Sequence, residues 1–330
     1  STAHYALNLE LFLENAHHSF MEVNPVLIKE YKKSTTLRRT KTDSVDCESI
    51  ARWLITVEYK PHSKGFYHAY SLKSLTRLRD RLIRQRSFYL VKITNVLDHT
   101  FPEFKPFFNE RLSKTALYLL ENYGSAEKMA RMNSASYDKL RCISRGKFSI
   151  QQFLRLKELA ANTVGVNNSI FDLELNTLLT LYKSLSDEIN TLETEIIKLI
   201  EEVHPHYMSI PGIGPISAAV IYAEYGDISN FSNPGQMLAF AGIEPGINDS
   251  GTESHGGRMV KHGSSQLRYV LLNACLPLIR FDLTFATYYE KKRAEGKKHR
   301  VAITHVAKKL IRVIYALERQ DVDFNAQKLR

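Results

Sequence analysis

Phe171, Leu175, Leu178, Tyr182, Leu185, Ile189, Leu192, Ile196, Leu199 and Val203 follow one another at alternating steps of four and three. A seam unbroken over 33 residues demands one continuous helix, roughly 50 Å long at ~1.5 Å per residue. A straight helix drifts ~20° per heptad from a 3.5-residue period, so a seam of this length has to close against another helix. Two partners fit. One is a second copy of the chain. The other is the helix predicted over residues 71–98, folded back as an antiparallel hairpin; there Leu72, Leu75, Leu78, Leu82, Tyr89, Ile93 and Val96 line one side and arginines crowd the others. The two arrangements are compatible.

Glycine and proline divide the rest. Between Pro106 and Pro205 only Gly124, Gly146 and Gly165 interrupt, which predicts helices, with breaks near Gly124, Ser134, Gly146 and Gly165. Residues 208–263 hold ten of the fifteen glycines, which predicts turns packed around short helices. The first 65 residues read as mixed: a helix over His4–Phe20, a short strand at Met21–Asn24 closed by Pro25, a second helix, a basic loop to Lys41, and a helix from Asp43 to about Leu54. That order suits the second half of an α/β domain. The expected divisions are 1–65, 66–207 and 208–330.

The net charge of +10 is concentrated. Residues 29–41 carry +5, residues 71–100 carry +5 and residues 291–312 carry +8, so the remainder is acidic. Three separate basic stretches are the footprint of a phosphate-backbone partner rather than of ordinary solvated helix faces. No run of ~18 apolar residues predicts a membrane span, and no signal peptide is expected. Cys47, Cys142 and Cys275 lie too far apart for a metal motif or a disulfide framework, so a cytoplasmic setting is expected.

Three places offer chemistry. Ser209-Ile-Pro-Gly-Ile-Gly-Pro-Ile-Ser-Ala218 has the helix-hairpin-helix pattern, in which Gly212 and Gly214 allow a tight turn and present backbone N–H groups to a DNA phosphate. Asp43 and Asp46, three apart, share a face if Asp43 opens a helix. They can bind magnesium, although spacing alone favours helix capping, with Asp43 as the N-cap. Ser250 lies in Asn-Asp-Ser-Gly-Thr with Arg258, Lys261 and Arg268 following. A serine beside flexible backbone and cations can attack phosphorus, but by chemistry alone it is equally a turn serine, and Ser254, Ser264 and Ser265 are as available.

Together these pieces resemble the DEDD-type insertion-sequence transposases, the insertion sequence 110, 116 and 902 group, understood as bridge-RNA-guided DNA recombinases. Lys41-Thr-Asp-Ser-Val-Asp-Cys-Glu-Ser-Ile-Ala51 resembles one family block. Ser209–Gly214, Gly226–Phe231, Ala241–Pro245, Ser250-Gly251, Lys261-His-Gly263 and Leu267-Arg268 resemble the carboxy-terminal transposase domain in order and spacing. The resemblance implies a mainly α protein: a truncated α/β RNase-H-like domain, a long helical coiled-coil middle, and a helical transposase domain with a helix-hairpin-helix. It implies Mg2+ at Asp43 and Asp46, the third and fourth acids of the set, and Ser250 as the serine that attacks the scissile phosphate. It implies DNA and a structured guide RNA as partners, met by Lys41, Arg77, Arg81, Arg84, Gly212, Gly214, Arg258, Lys261 and Arg268. It also implies a dimer or tetramer through the heptad helix, acting in the bacterial cytoplasm at the nucleoid.

One departure accompanies it. The family places its second acid, a Glu, just before a stretch like Ser1–Tyr5, and Ala3 stands where a Gly is usual. The expectation is a chain without two of the four acids, unable to recombine DNA by itself. The alternatives are a catalytically inactive nucleic-acid-binding remnant and a coiled-coil scaffold.

Overall fold

The computed structural model describes residues 6–21, 23, 25–35, 42–59, 66–109, 112–250 and 253–329. The chain forms two compact units, Ser1–Phe66 and Tyr67–Arg330, and it is mainly helical.

In the first unit, α1 (Ala6–Asn15), α2 (Pro25–Thr35) and α3 (Asp43–Thr56) follow in order, and α2 packs on α3. Thr42, not Asp43, is the N-cap of α3: its side chain accepts from Val45 N at 3.4 Å, and Asp43 becomes the first helical residue. The strand expected at Met21–Asn24 is not seen. Met21 and Val23 are irregular, positions 22 and 24 lie outside the described residues, and none of this unit's described residues is in a strand. A short β-prone run needs a hydrogen-bonded neighbour to become a strand. Trp53 is buried, whereas Phe12, Leu54 and Ile55 stand exposed.

The second unit is built on two helices of 35 residues, α4 (Phe66–Thr100) and α10 (Ser169–Val203). They run antiparallel. Arg79 Nε donates to Glu193 Oε1 at 2.7 Å near one end, and the His99 ring stacks on Phe171 at 5.8 Å near the other. Of the two partners open to the heptad seam, the same chain's basic helix is therefore in place. Leu175, Ile189 and Ile196 of the seam are buried, but so are Leu179 and Ile200, each four residues beyond a seam position. The buried face has rotated off the 3.5-residue line, as an unsupercoiled helix requires. Leu185 and Leu192 are only half-buried.

Between the long helices lie α5 (Phe104–Phe107), α6 (Lys114–Tyr123), α7 (Ala126–Ala130), α8 (Ser134–Ile143) and α9 (Ile150–Ala161). Ser113, Ser125, Asn133 and Ser149 cap α6 to α9, and Gln152 completes a capping box with Ser149. The breaks fall near Gly124, Ser134, Gly146 and Gly165, as expected. Gly165 lies against the end of α4, where an added Cβ would stand 2.1 Å from Thr100 O. These helices enclose one core with Ile93, Leu97, Phe101, Leu175 and Leu179.

The remainder forms a second core. A 3-10 turn (His206–Ser209) leads to α11 (Pro215–Tyr225) and α12 (Pro234–Ala241). An antiparallel hairpin follows, β1 (Pro245–Ser250) with β2 (Glu253–Met259), then α13 (Ser265–Phe281), α14 (Leu283–Ala294) and α15 (His299–Gln320). Ala302, Val306, Ala307, Leu310, Ile311 and Ile314 make one side of α15 the centre of this core, which also takes in Leu72, Ile196 and Ile200. Thus α4 and α10 each join both cores. The hairpin corrects the expectation of turns and helices alone for 208–263. No single described helix is long and apolar enough to cross a membrane.

Candidate functional site

Asp43 and Asp46 sit in the first turn of α3, one turn apart, where the N-terminal end of the helix dipole favours carboxylates. Asp43 is exposed. Asp46 Oδ1 receives Lys32 Nζ of α2 at 2.6 Å, so an ammonium occupies the place beside Asp46 that a metal cation would take. The donor set of hard carboxylate oxygens fits magnesium, with Lys32 as its competitor. Among the described residues no cluster of three or more His, Cys, Asp or Glu is arranged for a metal. Lys41 lies outside the described residues.

The glycine turn before α11 is anchored from below. Ile210 and Ile213 are buried, and Ile213 N bonds Ile210 O at 3.1 Å. Gly212 has φ +97°, and an added Cβ would meet Pro277 Cγ at 2.8 Å and Ala274 O at 3.0 Å on α13, so only glycine fits. Gly214 is the N-cap of α11 with Pro215 at the first turn, and no atom lies within 4 Å of where its Cβ would be. The start of α11 faces open space, as an anion-binding helix end must.

Ser250 is the last residue of β1, paired with Glu253 across the turn end of the hairpin. The side chains of Ser250 and Arg258 lie outside the described residues. The hairpin's root is tightly built. Val260 N bonds Glu244 O at 2.8 Å, and Ser264 N bonds Phe240 O at 3.0 Å. An added Cβ on Gly263 would stand 2.1 Å from Phe240 O, and Gly242, at φ +65°, lies against Gly263. Arg268 Nη1 donates to Ala241 O at 3.2 Å, closing the end of α12, while Lys261 on the return leg is exposed. Arg268 therefore braces the root.

The arginines of α4 divide by role. Arg77 forks onto Glu224 of α11, Nε to Oε1 at 2.9 Å and Nη2 to Oε2 at 3.2 Å, and the Glu224 side chain is 1% exposed. Arg84 pairs with Asp80 at 2.8 Å, and Arg81 is exposed. Neither Glu224 nor Lys32 carries a sequence signal, because each gains its meaning from a partner distant in the chain. A further contact absent from the sequence reading is His206, whose Nδ1 and Nε2 each lie 2.9 Å from a carboxylate oxygen, of Asp323 and Asp321 respectively.

Two family models match, in order. A DEDD transposase model of insertion sequence IS110 covers residues 1–102, and one described as the transposase IS116/IS110/IS902 family covers residues 205–290. Both define transposases. The chain belongs to the IS116/IS110/IS902 family. It is 27% identical to an uncharacterized 43.6 kDa protein of insertion element IS110 from Streptomyces coelicolor, over 72% of this chain and 60% of that protein. It is 25% identical to the transposase for insertion sequence element IS1111A of Coxiella burnetii, over 78% of this chain and 59% of the relative. It is 27% identical to the pilin gene-inverting protein of Moraxella bovis, over 42% of this chain and 46% of that one. The chain thus spans less than two thirds of the length of these relatives.

Proposed function

We propose that the chain carries the DNA-joining machinery of an insertion-sequence transposase, working by phosphodiester transesterification through Ser250. The observation that carries this reading is the pairing of two family matches with a serine at the turn end of a hairpin whose root admits only glycine at position 263. Ser250 Oγ attacks the scissile phosphorus and gives up its proton. The P–O bond to the leaving strand breaks, and the DNA end stays linked to the protein as a phosphodiester. Attack by the hydroxyl of another strand reverses the link without external energy. Asp43 and Asp46 would hold Mg2+, and the chemistry it would supply is electrostatic stabilisation of phosphoryl charge. DNA is met by the open start of α11 at Gly212 and Gly214, by Lys261 and Arg258, and by Arg81 and Arg84 of α4. A structured RNA guides the choice of site, and copies of the chain associate along α10. The relative named as a gene-inverting protein supports recombination as the reaction class.

The test is to incubate the chain with magnesium, the element's own end sequences and its transcript, and to seek a covalent protein–DNA adduct on a denaturing gel. With the family's two other acids supplied by an amino-terminal extension, the adduct is expected with Ser250 intact and with Ser254→Ala, and is expected to fall at least 100-fold with Ser250→Ala. An adduct that survives Ser250→Ala removes Ser250 from its role, and binding without any adduct points to the inactive remnant.

A further inference from the structure

The largest concentration of charge lies beyond the residues matched by either family model, at 291–312, where nine cations meet one acid. The fold turns that run into a surface. One side of α15 is core, and the flank away from it carries half-buried His305 and Lys308 and exposed Arg312 at helical steps of three and four, while exposed Arg300 stands at the start of the helix and half-buried Lys297 in the turn from α14. From Arg300 to Arg312 this stripe is about 18 Å long at ~1.5 Å per residue, roughly half a turn of duplex DNA.

The stripe is held in place and poorly neutralised. Lys309 lies over the Phe285 and Tyr288 rings at 5.2 Å from each, and Lys292 lies over Tyr288 at 5.5 Å while pairing with Glu295. Tyr289 bonds His299 Nδ1 at 2.7 Å. The aromatic rings are thus engaged beneath the cations and are not offered for base stacking. Among the described residues Lys297, Arg300, Lys308 and Arg312 make no ion pair. Burial and the neighbouring Arg312 push the Lys308 ammonium below its ordinary range, against the opposing pull of Glu244. Burial, then Lys308, Lys292 and Lys297, do the same to His305, with Glu295 opposing. Such repulsion is relieved by a polyanion. Glu244 immediately precedes β1, so the stripe adjoins the root of the hairpin that carries Ser250.

We propose that this outer stripe of α15, with Lys297, Arg300, Lys308 and Arg312 as its contacts, is a seat for the sugar-phosphate backbone of duplex DNA, held without reading sequence. Duplex DNA is favoured over RNA because of that adjacency to the hairpin, and to this extent the proposal rests on the reading of Ser250 as nucleophile. A strand lying on the stripe is led toward the reacting serine.

The test compares the full chain with the variant Lys297→Gln, Arg300→Gln, Lys308→Gln, Arg312→Gln, and with a control of equal charge change, Lys114→Gln, Lys128→Gln, Lys139→Gln, Lys147→Gln, on exposed positions of the helical middle. Fluorescence anisotropy with a 30-base-pair duplex of scrambled sequence is read from 50 to 200 mM salt, beside a structured RNA of similar length. The stripe variant is expected to bind the duplex at least tenfold more weakly at 100 mM. Its slope of log affinity on log salt should be shallower by about 3.6, since each of the four lost phosphate contacts removes ~0.9. The control should match the parent. An unchanged slope in the stripe variant, an equal loss in the control, or a loss confined to RNA each overturns the seat. Failure of the parent chain to bind any nucleic acid would instead count against the transposase reading itself.

Discussion

Arg77 shows how a residue picked out for its charge can be used for something else. It stands in a basic helix and reads as a phosphate ligand, yet its guanidinium forks onto a carboxylate that α11 has buried. A buried carboxylate needs such a partner. Arg77→Met is expected to cost roughly 3 kcal/mol, the low end for a broken buried pair because Arg77 is itself half exposed, and adding Glu224→Gln should recover most of it. Urea unfolding of the parent, the single and the double variant measures this. A single variant as stable as the parent would show the pair to be incidental. Gly263 and Gly212 are the opposite case: the sequence marks them as turn residues, and the structure adds that neighbouring backbone leaves no room for a side chain.

At the scale of elements, the glycine breaks and the absence of proline made the helical middle legible, because both act within a few residues. The hairpin was not legible. Its strands are rich in glycine and polar residues, and β-structure in such a segment depends on pairing. Nor was the clasp of the carboxy-terminal segment, in which Asp323 and Asp321 hold His206 and Phe324 N bonds Ser209 Oγ at 2.8 Å just before the glycine turn. Hydrogen bonds that the protonated ring donates to Asp323 and then Asp321 raise the His206 pKa above its ordinary 6.5. A raised value means that the clasp's contribution is complete below about pH 6.5 and is lost as pH climbs through the folded value. The melting-temperature gap between the parent and His206→Gln should therefore be widest at pH 6 and narrow by pH 9. A gap that is flat or widens with pH would rule the clasp out.

In the molecule as a whole, α4 and α10 tie two cores together, and the seam of α10 between them is unevenly covered. Leu185 and Leu192 belong to the heptad seam but are only half-buried by the same chain. Pairing with a second copy would complete their burial. Leu185→Asp with Leu192→Asp should convert an oligomer to a monomer in sedimentation velocity while leaving the helical circular dichroism intact. By contrast, Ile189→Ala, at a fully buried seam position, should cost about 2–5 kcal/mol in stability. Unchanged mass in the double variant would place self-association elsewhere or nowhere.

Local periodicity, glycine and proline placement, charge runs and motif order were enough to establish a mainly helical protein of this transposase family, because each is written within a few turns of chain. Three-dimensional packing alone decided which cations are spent on buried carboxylates, which helix closes the seam, that the glycine-rich stretch holds a serine at a hairpin's end, and that the basic run lies beside that hairpin's root. Those outcomes depend on residues more than sixty positions apart or on strands pairing, and no short window of sequence contains both members of such a contact.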